Sequence, residues 1–201
     1  LVIYRDLRTM DKNLSVMYLK SFIKDFKNQP NSRLIMKYQS LVESALVFKE
    51  NIDTNDSLTL FSICKTIIQN YNEFLNSYFS WAIIALQKIL KQRVNTNFFN
   101  IAYSKKVEKF NQLTKGLLIE FTNTARPDLR NSISHNDIFF MNDEGIIHFD
   151  LHNTKSESKE ISIEEFMSLS VIASWFPRTY LVSIAICLTI EEGNNEQLET
   201  I

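Results

Sequence analysis

Only three glycines and three prolines punctuate 201 residues. Tight turns draw on Gly for positive φ and on Pro for a preset φ, so this chain has few places to reverse direction sharply. That scarcity predicts long uninterrupted helices and disfavours a many-turned β-fold. Hydrophobic residues make up 45% of the chain, with 15 Phe, 7 Tyr and 2 Trp, which is enough to bury a sizeable core. The length fits one domain spanning residues 1–201.

The apolar spacing agrees along the chain. Asp11 to Lys27 reads as an amphipathic helix, with Leu14, Met17, Tyr18, Phe22 and Phe26 near one stripe, before NQPN breaks it. Leu34 to Glu50 reads as a second helix. NIDTNDS is a polar loop ending at a capping residue, and a long helix is expected from Leu58 to about Lys91, carrying an aromatic packing stripe. After NTNFFN the pattern resumes from Ser104 to Thr122. TNTARPDLRNSISH then begins a short helix, with Thr124 near its N-cap, Pro127 in the first turn and Asp128 complementing the positive helix end.

Beyond His135 the character changes. DIFFMNDEGIIHFDLH sets two short β-branched and aromatic runs around Asn142-Asp143-Glu144-Gly145, which predicts a β-hairpin at about residues 137–151. Ser162-Ile-Glu-Glu165 matches a capping box opening the last helix, expected to run to about Ile190 with a kink at Pro177. The polar residues at about 192–201 read as a frayed tail. The expected fold is all-α: a helical bundle with a small β-hairpin inserted before the last helix.

Cys64 and Cys187 lie in separate apolar stretches, as buried thiols of a reducing compartment would. No basic-then-apolar leader opens the chain, so the expected location is the cytoplasm. Residues 171–190 carry no charge except Arg178 and are the one stretch with membrane-like composition. A charge and a proline near its middle favour a central buried helix over a lipid-spanning one. Formal net charge is −1, yet residues 88–130 hold nine Lys/Arg against three acids and residues 137–201 hold three against twelve. The basic block runs straight into the short helix and would suit a polyanion, although a solvated basic face reads the same way.

That short helix holds the chemistry-bearing residues. In RNSISH, Asn131 and His135 lie four apart on one face, while Leu129 and Ile133 lie four apart on an adjacent one and can pin the helix to the core. Arg130 stands about 140° from His135 at ~100° per residue, near enough for a long side chain to curl toward it if the helix ends there. A permanent cation, a bifunctional hydrogen-bonder and a group titrating near neutrality suit phosphodiester cleavage. The imidazole would move the proton and the guanidinium would stabilise charge on phosphorus. One copy offers one histidine; a two-fold homodimer would supply a second set.

RNSISHNDI, led by ARPDL, resembles the Arg-polar-x(3)-His signature of the HEPN superfamily in its Arg-Asn form. The match covers six to ten residues late in a helical chain. The resemblance implies a metal-independent endoribonuclease, without cofactor, of the kind found in bacterial toxin–antitoxin, abortive-infection and CRISPR-linked defence systems. It implies two copies meeting in one cleft, RNA cleaved to a 2′,3′-cyclic phosphate and a 5′-hydroxyl, and an antitoxin or larger defence-system partner. Carried over by position, Arg130 stabilises the phosphate, His135 does acid–base work, and Asn131 orients or binds. Lys105, Lys106, Lys109, Lys115 and Arg126 become candidates to hold the RNA backbone if they share the cleft face. Some members of the superfamily are non-catalytic RNA- or protein-binding modules, which is the alternative reading.

Two other features compete or assist. His148, Asp150 and His152 alternate along HFDLH, so a strand would put them on one face as two imidazoles and a carboxylate for a divalent metal. The simpler reading is the polar face of a hairpin, with Ile147, Phe149 and Leu151 turned inward. Glu73 is the one acid between Asp56 and Glu108. It reads most simply as an exposed helix glutamate, and otherwise as a residue orienting the Arg–His pair. The chain has no Gly-rich phosphate loop, no Cys-x2-Cys pair, no Gly-x-Ser-x-Gly elbow and no His-Glu-x-x-His.

Overall fold

A computed structural model describes residues 5, 9–10, 33–94, 99–141, 145–151 and 158–199. The helix expected at Asp11 to Lys27 lies outside the described residues. From Arg33 onward the elements follow in the order α1 (Arg33–Asn51), α2 (Ser57–Ile89), α3 (Tyr103–Thr114), α4 (Ile119–Asn123), α5 (Pro127–His135), β1 (Ile138–Met141), β2 (Ile146–Asp150), β3 (Ser158–Ser162) and α6 (Ile163–Glu199). The mostly helical class is as expected, with a small sheet before the last helix.

The axis of the molecule is α2, which packs against α1, α3, α5 and α6. Asp56 starts it, accepting a 3.2 Å hydrogen bond from the Leu58 amide, which satisfies one of the helix's orphan donors. Ile67, Phe74, Leu75, Phe79 and Ile83 are fully buried along it, each contributing about 1.5–3 kcal/mol of burial. Around Phe74 an aromatic cluster gathers Tyr38 of α1 with Phe176 and Tyr180 of α6. Tyr38 also donates at 3.1 Å to the carbonyl of Pro177 inside α6.

Four expectations change. The helix read over Ser104 to Thr122 is two: Lys115 and Gly116 take left-handed backbone at φ 51° and 74°, and the Gly116 amide closes back on the Asn111 carbonyl, ending α3. The polar tail read as frayed is helical, since α6 runs on to Glu199. The hairpin gains a third strand, giving an antiparallel sheet in the order β1-β2-β3. In β3 only Ile161 is buried, opposite Ile147 of β2. One apolar residue in five leaves no alternation to read, so backbone pairing defines this strand.

The last change concerns α6, expected to be the central buried helix. Phe166 and Ala173 reach the core, but Ile172, Val182 and Ile186 are exposed and Trp175 is 59% exposed. By length and composition Ile163–Cys187 is long and apolar enough to cross a membrane, and 19% of that window is buried. An apolar groove of about 620 Å³ runs between α1 and α6, lined by Val42, Leu46, Ile52 and Trp175 with Lys49 and Arg178.

Candidate active site

Helix α5 is nine residues long and begins as expected, with Pro127 at its first position and Asp128 in its first turn. Its N-cap is Arg126, which makes no side-chain cap, and not Thr124. The Arg126 amide instead donates to Asn72 Oδ1 at 2.7 Å, so α2 caps the helix from outside. Leu129 and Ile133 are buried, as the spacing predicts. Asn136 ends the helix in left-handed backbone at φ 60°, so His135 is the last helical residue and stands exposed. Ser132 is fully buried and donates at 2.6 Å to the Asp150 carbonyl of β2, clamping α5 to the sheet.

The Arg130 guanidinium is held by α2 and by its neighbour Asn131. Its Nε and one terminal nitrogen bind Glu73 Oε1 on α2, and its other terminal nitrogen donates at 3.0 Å to Asn131 Oδ1. The second carboxylate oxygen of Glu73 takes the Lys37 ammonium from α1. One carboxylate therefore ties α1 and α5 to α2, with its side chain 19% exposed and Arg130 30% exposed. This corrects the simple reading of Glu73 as an exposed glutamate.

A signal for it was present. Gln69, Asn72, Glu73 and Asn76 form a polar stripe at helical spacing on α2. Each meets a partner across a helix interface. Gln69 donates to Ser134 at 2.7 Å, Asn72 accepts from Tyr103 at 3.0 Å, and Asn76 Oδ1 accepts from Lys106 at 2.8 Å.

The five basic residues read as RNA contacts do not form one patch. Lys106 is 3% exposed, and burial together with the nearby Arg130 charge brings its ammonium down to about 8. Lys105 is exposed and pairs with Glu108 at 3.0 Å. Lys109 is half-buried one turn further along α3, and Lys115 is exposed at that helix's end. Arg126 is committed elsewhere: it grips Asp128 at 3.0 and 3.1 Å and reaches Glu165 of α6 at 3.0 Å. Burial raises the Asp128 carboxyl, but the Arg126 guanidinium, with the Leu129 amide and the Lys159 charge, holds the group below its usual range.

In the sheet, Ile147 and Phe149 are buried and His148 faces the other side, as alternation predicts. The His148 ring stacks on Phe139 at 5.4 Å and lies 3.4 Å from Glu160. His152 lies outside the described residues. Among the described residues no group of three or more His, Cys, Asp or Glu is placed to hold a metal ion.

The geometry thus provides a cation fixed in place by a shared carboxylate, an amide beside it, and an exposed imidazole at the end of the same helix. A guanidinium and an imidazole are the group types that position a phosphodiester and move a proton at its oxygens, and here they stand five residues apart on α5. The chain matches no family model, no curated protein and no solved structure.

Proposed function

We propose that this chain is a HEPN-like, metal-independent endoribonuclease that works as a homodimer in bacterial toxin–antitoxin or anti-phage defence, in the cytoplasm. The observation that carries the reading is the fixed Arg130 within a short helix that ends on an exposed His135. Arg130 stabilises charge on the phosphate, and Asn131 holds the guanidinium from the side. His135 takes the proton of the 2′-hydroxyl, which attacks phosphorus. A second histidine, from the partner copy, returns a proton to the leaving 5′-oxygen. A 2′,3′-cyclic phosphate and a 5′-hydroxyl result. In this reading α6 is a bundle helix, with Arg178 keeping its middle out of lipid.

The test is RNA cleavage in EDTA by wild type and His135→Ala, with the native mass measured alongside. Cleavage that disappears in the variant supports the reading. Cleavage unchanged in His135→Ala, or a strictly monomeric active protein, defeats it. RNA binding without turnover selects the non-catalytic module instead.

A further inference from the structure

We infer that the groove between α1 and α2 is a substrate subsite, seating the ribose and base of a single-stranded RNA nucleotide next to the scissile phosphate. The inference rests on the nuclease reading above. The groove has a volume of about 330 Å³ and is lined by Ser40, Glu43, Ser44, Ser62, Thr66 and Asn70 among others. That is the small end of the range for ligand pockets.

Its position is what ties it to the candidate site. Lys37 lies three residues before Ser40 on α1, and Glu73 lies three residues after Asn70 on α2, so each shares a helix face with the groove wall. At 1.5 Å per residue, Asn70 is about 4.5 Å and Thr66 about 10 Å along α2 from Glu73. Lys37 and Glu73, which pair with each other, therefore lie about one turn beyond the groove end marked by Ser40 and Asn70.

Its chemistry matches a nucleoside better than a phosphate. The polar lining groups are hydroxyls, one amide and one carboxylate, with no cation among them, and Val47 and Ile63 supply an apolar part of the wall. The amide of Asn70 donates to the Ser40 carbonyl at 3.1 Å, which pins the two walls together and leaves a second N–H and the amide oxygen for a ligand. Thr66 donates to the Ser62 carbonyl at 2.9 Å and keeps its oxygen lone pairs. Sets of this kind read the 2′-hydroxyl and base edges of unpaired RNA.

Cleavage by the wild type in EDTA tests the nuclease reading alone. The groove is tested separately, by fluorescence anisotropy of a labelled 12-nucleotide single-stranded RNA on His135→Ala protein. Adding Thr66→Trp, which fills the groove from an exposed position, should weaken binding at least about tenfold. Thr66→Val, which removes only the hydroxyl, should weaken it about two- to fivefold, within the range of one lost hydrogen bond. DNA of the same sequence should bind more weakly than RNA. Unchanged RNA affinity in both variants, or equal affinity for DNA, overturns the subsite even if the wild type cleaves RNA. A wild type that neither cleaves nor binds RNA removes the nuclease reading and the subsite with it.

Discussion

Replacing Glu73 by glutamine keeps its shape and removes one charge, which makes it the sharpest probe of the site. Lys37 and Arg130 then lose the negative charge they share. At an effective dielectric of about 20, unit charges about 4 Å apart interact by about 4 kcal/mol. The three side chains are 19% to 30% exposed, so water screens part of that, and both cations can turn outward. An intermediate cost of about 2 kcal/mol follows, between the value for an exposed pair and that for a fully buried one. With a urea m-value of about 2 kcal/mol/M, the unfolding midpoint should fall by about 1 M.

A double-mutant cycle with Arg130→Met isolates the pair, and the coupling should be about 1–2 kcal/mol. Most of it should survive in 0.5 M KCl, because a partly buried pair is weakly screened. RNA cleavage should fall about 100-fold in Glu73→Gln at a temperature where the variant is folded, since a guanidinium displaced by about 1 Å costs roughly that much. A coupling below about 0.3 kcal/mol, the level of simple additivity, would refute the claim that Glu73 holds Arg130.

Three further outcomes follow from the same geometry. Lys106 has a folded-state pKa of about 8 against an ordinary 10.5, so between those values the unfolded chain holds more protons and stability rises with pH. Lys106→Met should lack that rise in urea titrations from pH 8 to 10.5, and a parallel profile would contradict it. The Asp128 carboxyl is held below its usual range, so its stabilising contribution is present above pH 3.8 and is lost as pH falls through the folded value. Asp128→Asn should therefore flatten the acid limb and cost about 1–2 kcal/mol near neutrality, as loss of a partly buried partner for Arg126 should. Asn136 occupies left-handed backbone, so Asn136→Gly should be nearly neutral, while Asn136→Ala should cost about 1 kcal/mol in thermal melts.

What could be read from the residues was what depends on local period and local punctuation. Leu41, Ile67, Leu75 and Phe79 repeat at helical spacing and are buried. Pro127 and Asp128 open α5 where such residues should, and Leu129 and Ile133 anchor it. The β1–β2 pairing could be read because both strands alternate or carry β-branched and aromatic residues. What could not be read depends on packing between distant segments. Glu73 and Arg130 are 57 residues apart, and no local pattern says which face of α2 the short helix will meet. The burial of Lys106 beside exposed Lys105 is likewise a matter of which side of α3 faces α2. The exposed apolar face of α6 was illegible for the same reason, because a nearly uncharged run does not say which of its sides finds a partner.

The sheet acquires a purpose from these contacts. HFDLH has the residue types of a ligand set, yet what β2 contributes at α5 is its backbone. The Asp150 carbonyl accepts from Ser132, and the Asp150 amide donates at 3.0 Å to the Asp137 carbonyl just past the helix end. The Asp137 amide in turn closes on the Ser132 carbonyl at 2.8 Å. His135 therefore sits within a closed loop of hydrogen bonds that begins and ends at Ser132. Arg130 is fixed from the other side by α2. A nine-residue helix is too short to hold its own geometry in water, so the positions of its two candidate catalytic groups come from α2 at one end and the sheet at the other. Ser132→Ala would test that division of labour. It should loosen the His135 end, lowering RNA cleavage while leaving the Glu73–Arg130 coupling unchanged. A change in that coupling would show that the two anchors act as one.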